Sequence, residues 1–223
     1  MEPLQSTSRG SSGNPVANLD GSREPAGGTT ILRELQQTLM PALVLFLVLT
    51  FVTGVAYPLA VTVVAQLAFS SAANGSLIGD PQHHVGSDLV GQSFTEPRYF
   101  WGRPSATTPA YNGLGGSGSN LAVTNPALMD AVKDRIARLH TVDPDNTAKI
   151  PVDLVTASAS GLDPQISPTA AQYQASRVAR ERGLPLEQVT KLIGQHTQMP
   201  TFGFLGQPRV DVLRLNLSLD SLK

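Results

Sequence analysis

Residues 39–69, LMPALVLFLVLTFVTGVAYPLAVTVVAQLAF, run for thirty-one positions without a formally charged side chain. A bilayer's hydrocarbon core, about 30 Å thick, needs roughly 20 apolar residues of helix to cross it. The run is long enough to cross with tilt, and the chain holds no second stretch like it. It therefore reads as the anchor of a single-span membrane protein, with a short N-terminal tail and a C-terminal domain. One span encloses no pore, so any part in transport has to be shared with other subunits.

Two other readings of the run compete with a retained anchor. A cleaved signal peptide would use the small residues Ser70, Ser71, Ala72 and Ala73, but its apolar region is about 7–15 residues long and close to the N-terminus. A buried helix of a soluble protein is the other, and the length argues against it. Pro58 removes a helix hydrogen bond inside the run, which a membrane helix tolerates where a hydroxyl or a neighbouring helix satisfies the backbone. Thr53, Gly54, Thr62 and Gln66 offer small or polar contact points for helix packing.

Basic residues set the orientation. Arg9, Arg23 and Arg33 precede the span, and the first basic residue after it is Arg98. The asymmetry puts the N-terminus in the cytoplasm and the C-terminal domain outside. A net charge of −1 gives no electrostatic footprint for nucleic acid. With no cysteine, disulfides and thiolate metal sites are excluded.

The chain divides into a disordered tail over residues 1–33, rich in Ser, Gly and Pro, a transmembrane helix over 39–69 and a soluble domain over 74–223. The expected fold class is α+β, one membrane helix followed by a small extracytoplasmic domain. Turn-dense segments fill 74–124, with short extended runs at 88–90 and 99–101. Asn125-Pro126 and Ser167-Pro168 are helix starts, an N-cap followed by Pro at the first helical position. Gly183 stops the second helix, and a third spans residues 186–195. Leu213, Leu215, Leu217 and Leu219 alternate with polar residues, which predicts a strand; residues 154–157 are a weaker strand candidate.

The search for chemistry returns little. GLGGSGSN at 113–120 lacks the lysine of a phosphate-binding loop. Ser158 and Ser160, with Asp163 and His196, would nominally complete a Ser-His-Asp set, but the glycines of a nucleophile elbow are missing. Adjacent His83 and His84 lack the spacing of paired metal ligands and read as solvent-facing loop residues. Residue chemistry alone stops at an anchored accessory domain with no assignable active site and no bound metal.

The order of motifs says more. GSDLVGQSF, YFWGRPSATTPAYNGLGGSGSNLAVTNPAL, VDLVTASASGLDPQISPTAAQYQASRVARERGL and FGFLGQPRVDVLRLNLSLD, following one N-terminal span, resemble the C-subunit family of the bacterial Kdp potassium-transporting P-type ATPases. The likeness runs from about Met40 to Asp220. It implies an accessory, non-catalytic subunit of the plasma (inner) membrane. Its expected partners are a potassium-translocating A subunit, an ATP-hydrolysing B subunit and membrane lipid. The family is described as a catalytic chaperone that raises the B subunit's affinity for ATP and stabilises the complex. Its VTASGSGLDP stretch has been likened to an ABC-ATPase signature loop, which carries nucleotide contact over to Ser158, Ser160, Gly161 and Gln165. Ala159 stands where that pattern usually has Gly, which removes backbone freedom.

The outward topology conflicts with direct ATP contact. An effect on ATP affinity would then travel through the membrane subunits as coupling between conformational states, or the domain could gate or guide potassium instead. Arg98, Tyr99, Arg103, Asn112 and Asn120 are the candidate interface or structural anchors; equally, they could satisfy loop backbone groups. The alternatives are a membrane-anchored envelope hydrolase and a stand-alone binding module.

Overall fold

A computed structural model describes residues 28–80 and 82–222. Residues 1–27 of the expected tail lie outside it, and its last residues are already helical. Helix α1 (Gly28–Phe51) continues through a π-helical turn (Val52–Ala56) into α2 (Tyr57–Ala68). The apolar stretch Leu35–Ala68 has 34 residues, about 50 Å of helix at the α-helical rise, more than a hydrocarbon core requires.

The π turn has an identifiable cause. Pro58 has no N–H to give the carbonyl of Gly54, and its ring would crowd that carbonyl, so the ladder opens one turn earlier. The Thr53 hydroxyl donates to the Leu49 carbonyl at 2.7 Å beside the break. Thr53, Gly54 and Pro58 thus mark one local feature of the span.

In the C-terminal unit, one turn of helix α3 (Ser70–Ala73) precedes an antiparallel hairpin of β1 (Leu77–Asp80) and β2 (His83–Ser87). The pairing slips between Ile78 and Gly79. Gly79 has φ +114°, and a Cβ there would lie 2.4 Å from the His83 carbonyl oxygen, so the slip requires glycine.

Helix α4 (Pro126–Val142) and α5 (Pro168–Arg182) begin where expected. The Asn125 side chain accepts from Ala127 N–H and the Ser167 hydroxyl from Ala170 N–H, both at 3.0 Å. Gly183 ends α5 in the left-handed region, φ +66°. Strands β3 (Gln165–Ile166), β4 (Thr197–Gln198) and β5 (Arg209–Asp211) form a small antiparallel sheet with β5 central. Helix α6 (Leu186–His196) packs against α5, and α7 (Val212–Ser221) against α6. Ile166, Ala175, Val178, Val189, Val210, Leu215 and Leu219 are the centre of the core.

Two expectations are overturned here. The leucine alternation of 213–219 is helix α7, not a strand. Its buried set Val212, Leu213, Leu215, Asn216 and Leu219 contains the helical series 212, 215, 216 and 219; Asn216 hides the period because a polar residue occupies a core position. The Asp211 side chain caps the helix by accepting from Arg214 N–H at 2.8 Å. Residues 154–157 are likewise no strand: Val152–Leu154 is a 3-10 turn, closed by Thr156 bonding Val152 O through N–H and hydroxyl.

The extended runs also differ from simple strands. Residues 88–90 make only an isolated bridge, Ser87 to Val90. Residues 99–101 form no strand: Tyr99 N–H closes a turn onto the Glu96 carbonyl at 3.1 Å, and Phe100 and Trp101 pair with side chains. His83 and His84 lie on β2 rather than in a loop, and both are exposed.

Candidate functional site

The family-matched loop forms a tight turn. Ser158 is buried, and its Oγ accepts from Gly161 N–H at 2.9 Å. Ser160 Oγ lies 3.4 Å from Ser158 Oγ and accepts from Leu162 N–H at 3.2 Å. Gly161 has φ +67°, and a Cβ there would meet the Ser117 carbonyl oxygen at 2.6 Å. Ser105 Oγ donates to the Gly161 carbonyl at 2.6 Å. The glycine-rich segment after Tyr111 therefore packs on this turn. Ala159 is not among the described residues with positive φ, so alanine costs this backbone nothing.

Asp163 follows the turn and holds two neighbours. Its Oδ1 accepts from Gln165 N–H at 3.0 Å, and its Oδ2 accepts from Arg103 Nη1 at 3.1 Å. Arg103 Nη2 also donates to Ala157 O at 3.3 Å, while Arg103 Nε is buried without a partner. The Tyr111 hydroxyl donates to Arg103 O at 2.5 Å; burial first, then the Asp163 charge, pushes its pKa up to about 12. Ser158, Ser160, Gly161, Gln165 and Arg103 are thus brought into one locality.

The nominal Ser-His-Asp set is not assembled. Ser158 bonds within its own turn and Asp163 holds Arg103. His196 ends α6, where burial lowers its pKa and Asp211, not Asp163, is the carboxylate acting on it. No group of three or more potential metal ligands occurs among the described residues.

The remaining candidates separate. Tyr99 OH donates to Asp220 Oδ2 at 3.1 Å. The guanidinium groups of Arg98 and Arg182 lie 5.0 and 4.9 Å from its ring centroid. Arg98 pairs with Glu96 at 2.8 Å, and Arg182 ties Asp220 at 2.8 Å to the Arg98 carbonyl at 2.7 Å. These residues join the 96–101 segment to the ends of α5 and α7. Asn112 shapes its loop, accepting from Leu114 N–H at 3.1 Å. Asn120 is exposed in the left-handed region, φ +50°.

Sequence reasoning missed the residues that hold 97–101 in place. Asn216 and Gln174 each bond a backbone N–H and C=O of Phe100 and Trp101 respectively. Arg177 is 1% exposed and donates to the carbonyls of Pro97 and Tyr99 and to Gln174 Oε1. Burial lowers its pKa to about 10, so it stays protonated at neutral pH. Polar residues at core positions of α5 and α7 were the available signal.

One long apolar helix, consistent with single-pass membrane anchoring, and a small α+β domain whose own segments are held by buried polar side chains define the class: an anchored accessory subunit. A family model described as "KdpC: K+-transporting ATPase, c chain" matches residues 39–221. A Potassium-transporting ATPase KdpC subunit of Polaromonas naphthalenivorans is 63% identical over 190 residues, 85% of this chain and 97% of that protein. Proteins of the same name from Variovorax paradoxus and Methylococcus capsulatus are 60% and 59% identical, covering 84% and 82% of this chain and 97% of each relative. The chain belongs to the KdpC family, the C chains of potassium-transporting ATPases.

Proposed function

We propose that this chain is the non-catalytic C subunit of a potassium-uptake ATPase of the plasma membrane, with its α+β domain on the extracytoplasmic side, and that it stabilises the complex and raises the ATP affinity of the hydrolysing B subunit. The observation that carries the subunit reading is the break in the span. At Gly54 an added Cβ would meet nothing within 4 Å, and Thr53 and Pro58 adjoin it. That is the small, polar surface against which another membrane helix packs closely. Basic residues before the span and none until Arg98 support the orientation.

The effect on ATP affinity is one of coupling through the membrane subunits rather than of direct nucleotide contact. In the turn at 158–162, the N–H groups of Gly161 and Leu162, which would face a phosphate, already bond Ser158 and Ser160. Its nearby cation Arg103 is held by Asp163. The separate partners of Ser158, Asp163 and His196 likewise favour a subunit over an envelope hydrolase.

The test is to tag the chain, purify it gently from potassium-starved membranes and assay potassium-stimulated ATPase. Co-elution of a P-type subunit, with its KM for ATP rising when this chain is left out, is the expected result. A chain that elutes alone without stimulated activity overturns the reading.

A further inference from the structure

A cavity of about 260 Å³ opens between the 92–105 segment, Tyr111 and helix α4. Arg103, Arg135 and Arg138 all line it, together with Trp101, Ser105 and Tyr111, and its lining contains no carboxylate. Asp163 answers the charge of Arg103 from outside the lining. Neither Arg135 nor Arg138 has a carboxylate within ion-pair distance among the described residues. Arg135 spends one N–H on the Val155 carbonyl at 2.7 Å, and Arg138 lies 4.6 Å from the Trp101 ring centroid.

A concave site with converging cations and no fixed counter-charge is suited to an anion. Guanidinium groups bind oxyanions in paired, charge-assisted hydrogen bonds. The Trp101 ring holds Arg138 by a cation–π contact. Partial burial of Arg135 lowers its pKa, the cost a bound anion would relieve. The volume accommodates a group the size of a phosphate monoester.

We propose that this cavity is a binding site for a phosphate-type oxyanion, held by Arg135 and Arg138 with Arg103 behind them. Free phosphate and a phospholipid headgroup share that chemistry. The site lies on α4 and the 101–111 segment, on the far side of Arg103 and Ser105 from the serine turn that these two residues also hold, and does not rest on the subunit reading above.

Trp101 is the chain's single tryptophan and lines the cavity, so its fluorescence reports occupancy directly. The full chain in detergent is titrated with inorganic phosphate at constant ionic strength set by potassium chloride. A saturable change with Kd on the order of 1 mM is expected, weakened about tenfold or more in Arg138→Gln and in Arg135→Gln. Lys191→Gln, an exposed cation elsewhere, should leave it unchanged, and thermal melts establish that each variant folds. A parallel titration uses vesicles of phosphatidylcholine with or without phosphatidylglycerol. A response to phosphate assigns the site to a free oxyanion, and one only to phosphatidylglycerol assigns it to a headgroup. Insensitivity to both, or an equal response in folded Arg135→Gln and Arg138→Gln proteins, overturns the proposal; a site filled by an acidic side chain of a partner subunit would give the first of these.

Discussion

The Asn216 side chain stands in for a missing β-strand: its Oδ1 accepts from the Phe100 N–H at 2.9 Å, and its Nδ2 donates to the Phe100 carbonyl at 3.0 Å. Phe100 is completely buried, so neither backbone group has water as an alternative. Gln174 repeats the arrangement at Trp101, at 2.9 and 3.1 Å. Two amides on two helices thereby hold a segment that pairs with no strand.

Asn216→Ala should therefore destabilise the domain by about 3 kcal/mol, since a buried N–H and C=O each left unpaired cost about 1–3 kcal/mol. Urea unfolding of the detergent-solubilised chain, followed by Trp101 fluorescence, measures it. A loss under about 1 kcal/mol would mean that the segment finds other partners, and the stapling argument would fail.

The same residue explains what the sequence concealed. Asn125, Ser167 and Gly183 were legible because capping is local: a side chain meets N–H groups two or three residues away, and a left-handed stop asks for glycine. The Pro58 break was legible for the same reason. Helix α7 was not. Leu213, Leu215, Leu217 and Leu219 imitate a strand, although Leu217 is only half-buried and Asn216 is fully buried. Asn216's place in the core depends on Phe100, more than a hundred residues distant, and no local pattern carries that. Of the site, the serine turn was legible only by resemblance, whereas the arginine-lined cavity requires α4 to be folded against residues 92–105.

Asp211 caps α7 while being buried beside Asp88, Arg214 and His196. Burial first raises its pKa above 3.8. A carboxyl raised on folding contributes stability below the unfolded value, and that contribution is lost as pH rises through the folded one. Asp211→Asn keeps a good cap and removes the charge, so it should match or exceed the parent's stability at pH 7 and lose that advantage below about pH 4. Asp211→Ala should cost about 1 kcal/mol at both. Thermal melts of the three proteins across that range decide it, and an Asn variant weaker than the Ala variant at neutral pH would contradict the assignment.

The serine turn separates backbone need from ligand contact. Gly161→Ala forces a side chain into the left-handed region against the Ser117 carbonyl and should cost about 2 kcal/mol or more. Ala159→Gly should change stability by less than about 1 kcal/mol, and it should leave the complex's KM for ATP unaltered. A marked fall in that KM on restoring glycine would argue for direct nucleotide contact at this turn.

Gly54 tests the span as an interface. Its position has open space for a side chain within this chain, so Gly54→Leu should leave the helix content and the melting of the isolated subunit unchanged. Against a partner helix the same side chain would hold apart two backbones that a small residue lets approach closely. Association with the other Kdp subunits should then weaken roughly tenfold, seen as loss of co-purifying partners and of potassium-stimulated ATPase, with Gly54→Ala falling between. Complexes of the Leu variant recovered in full yield and activity would show that this face meets lipid, and the contact would have to be sought elsewhere along the span.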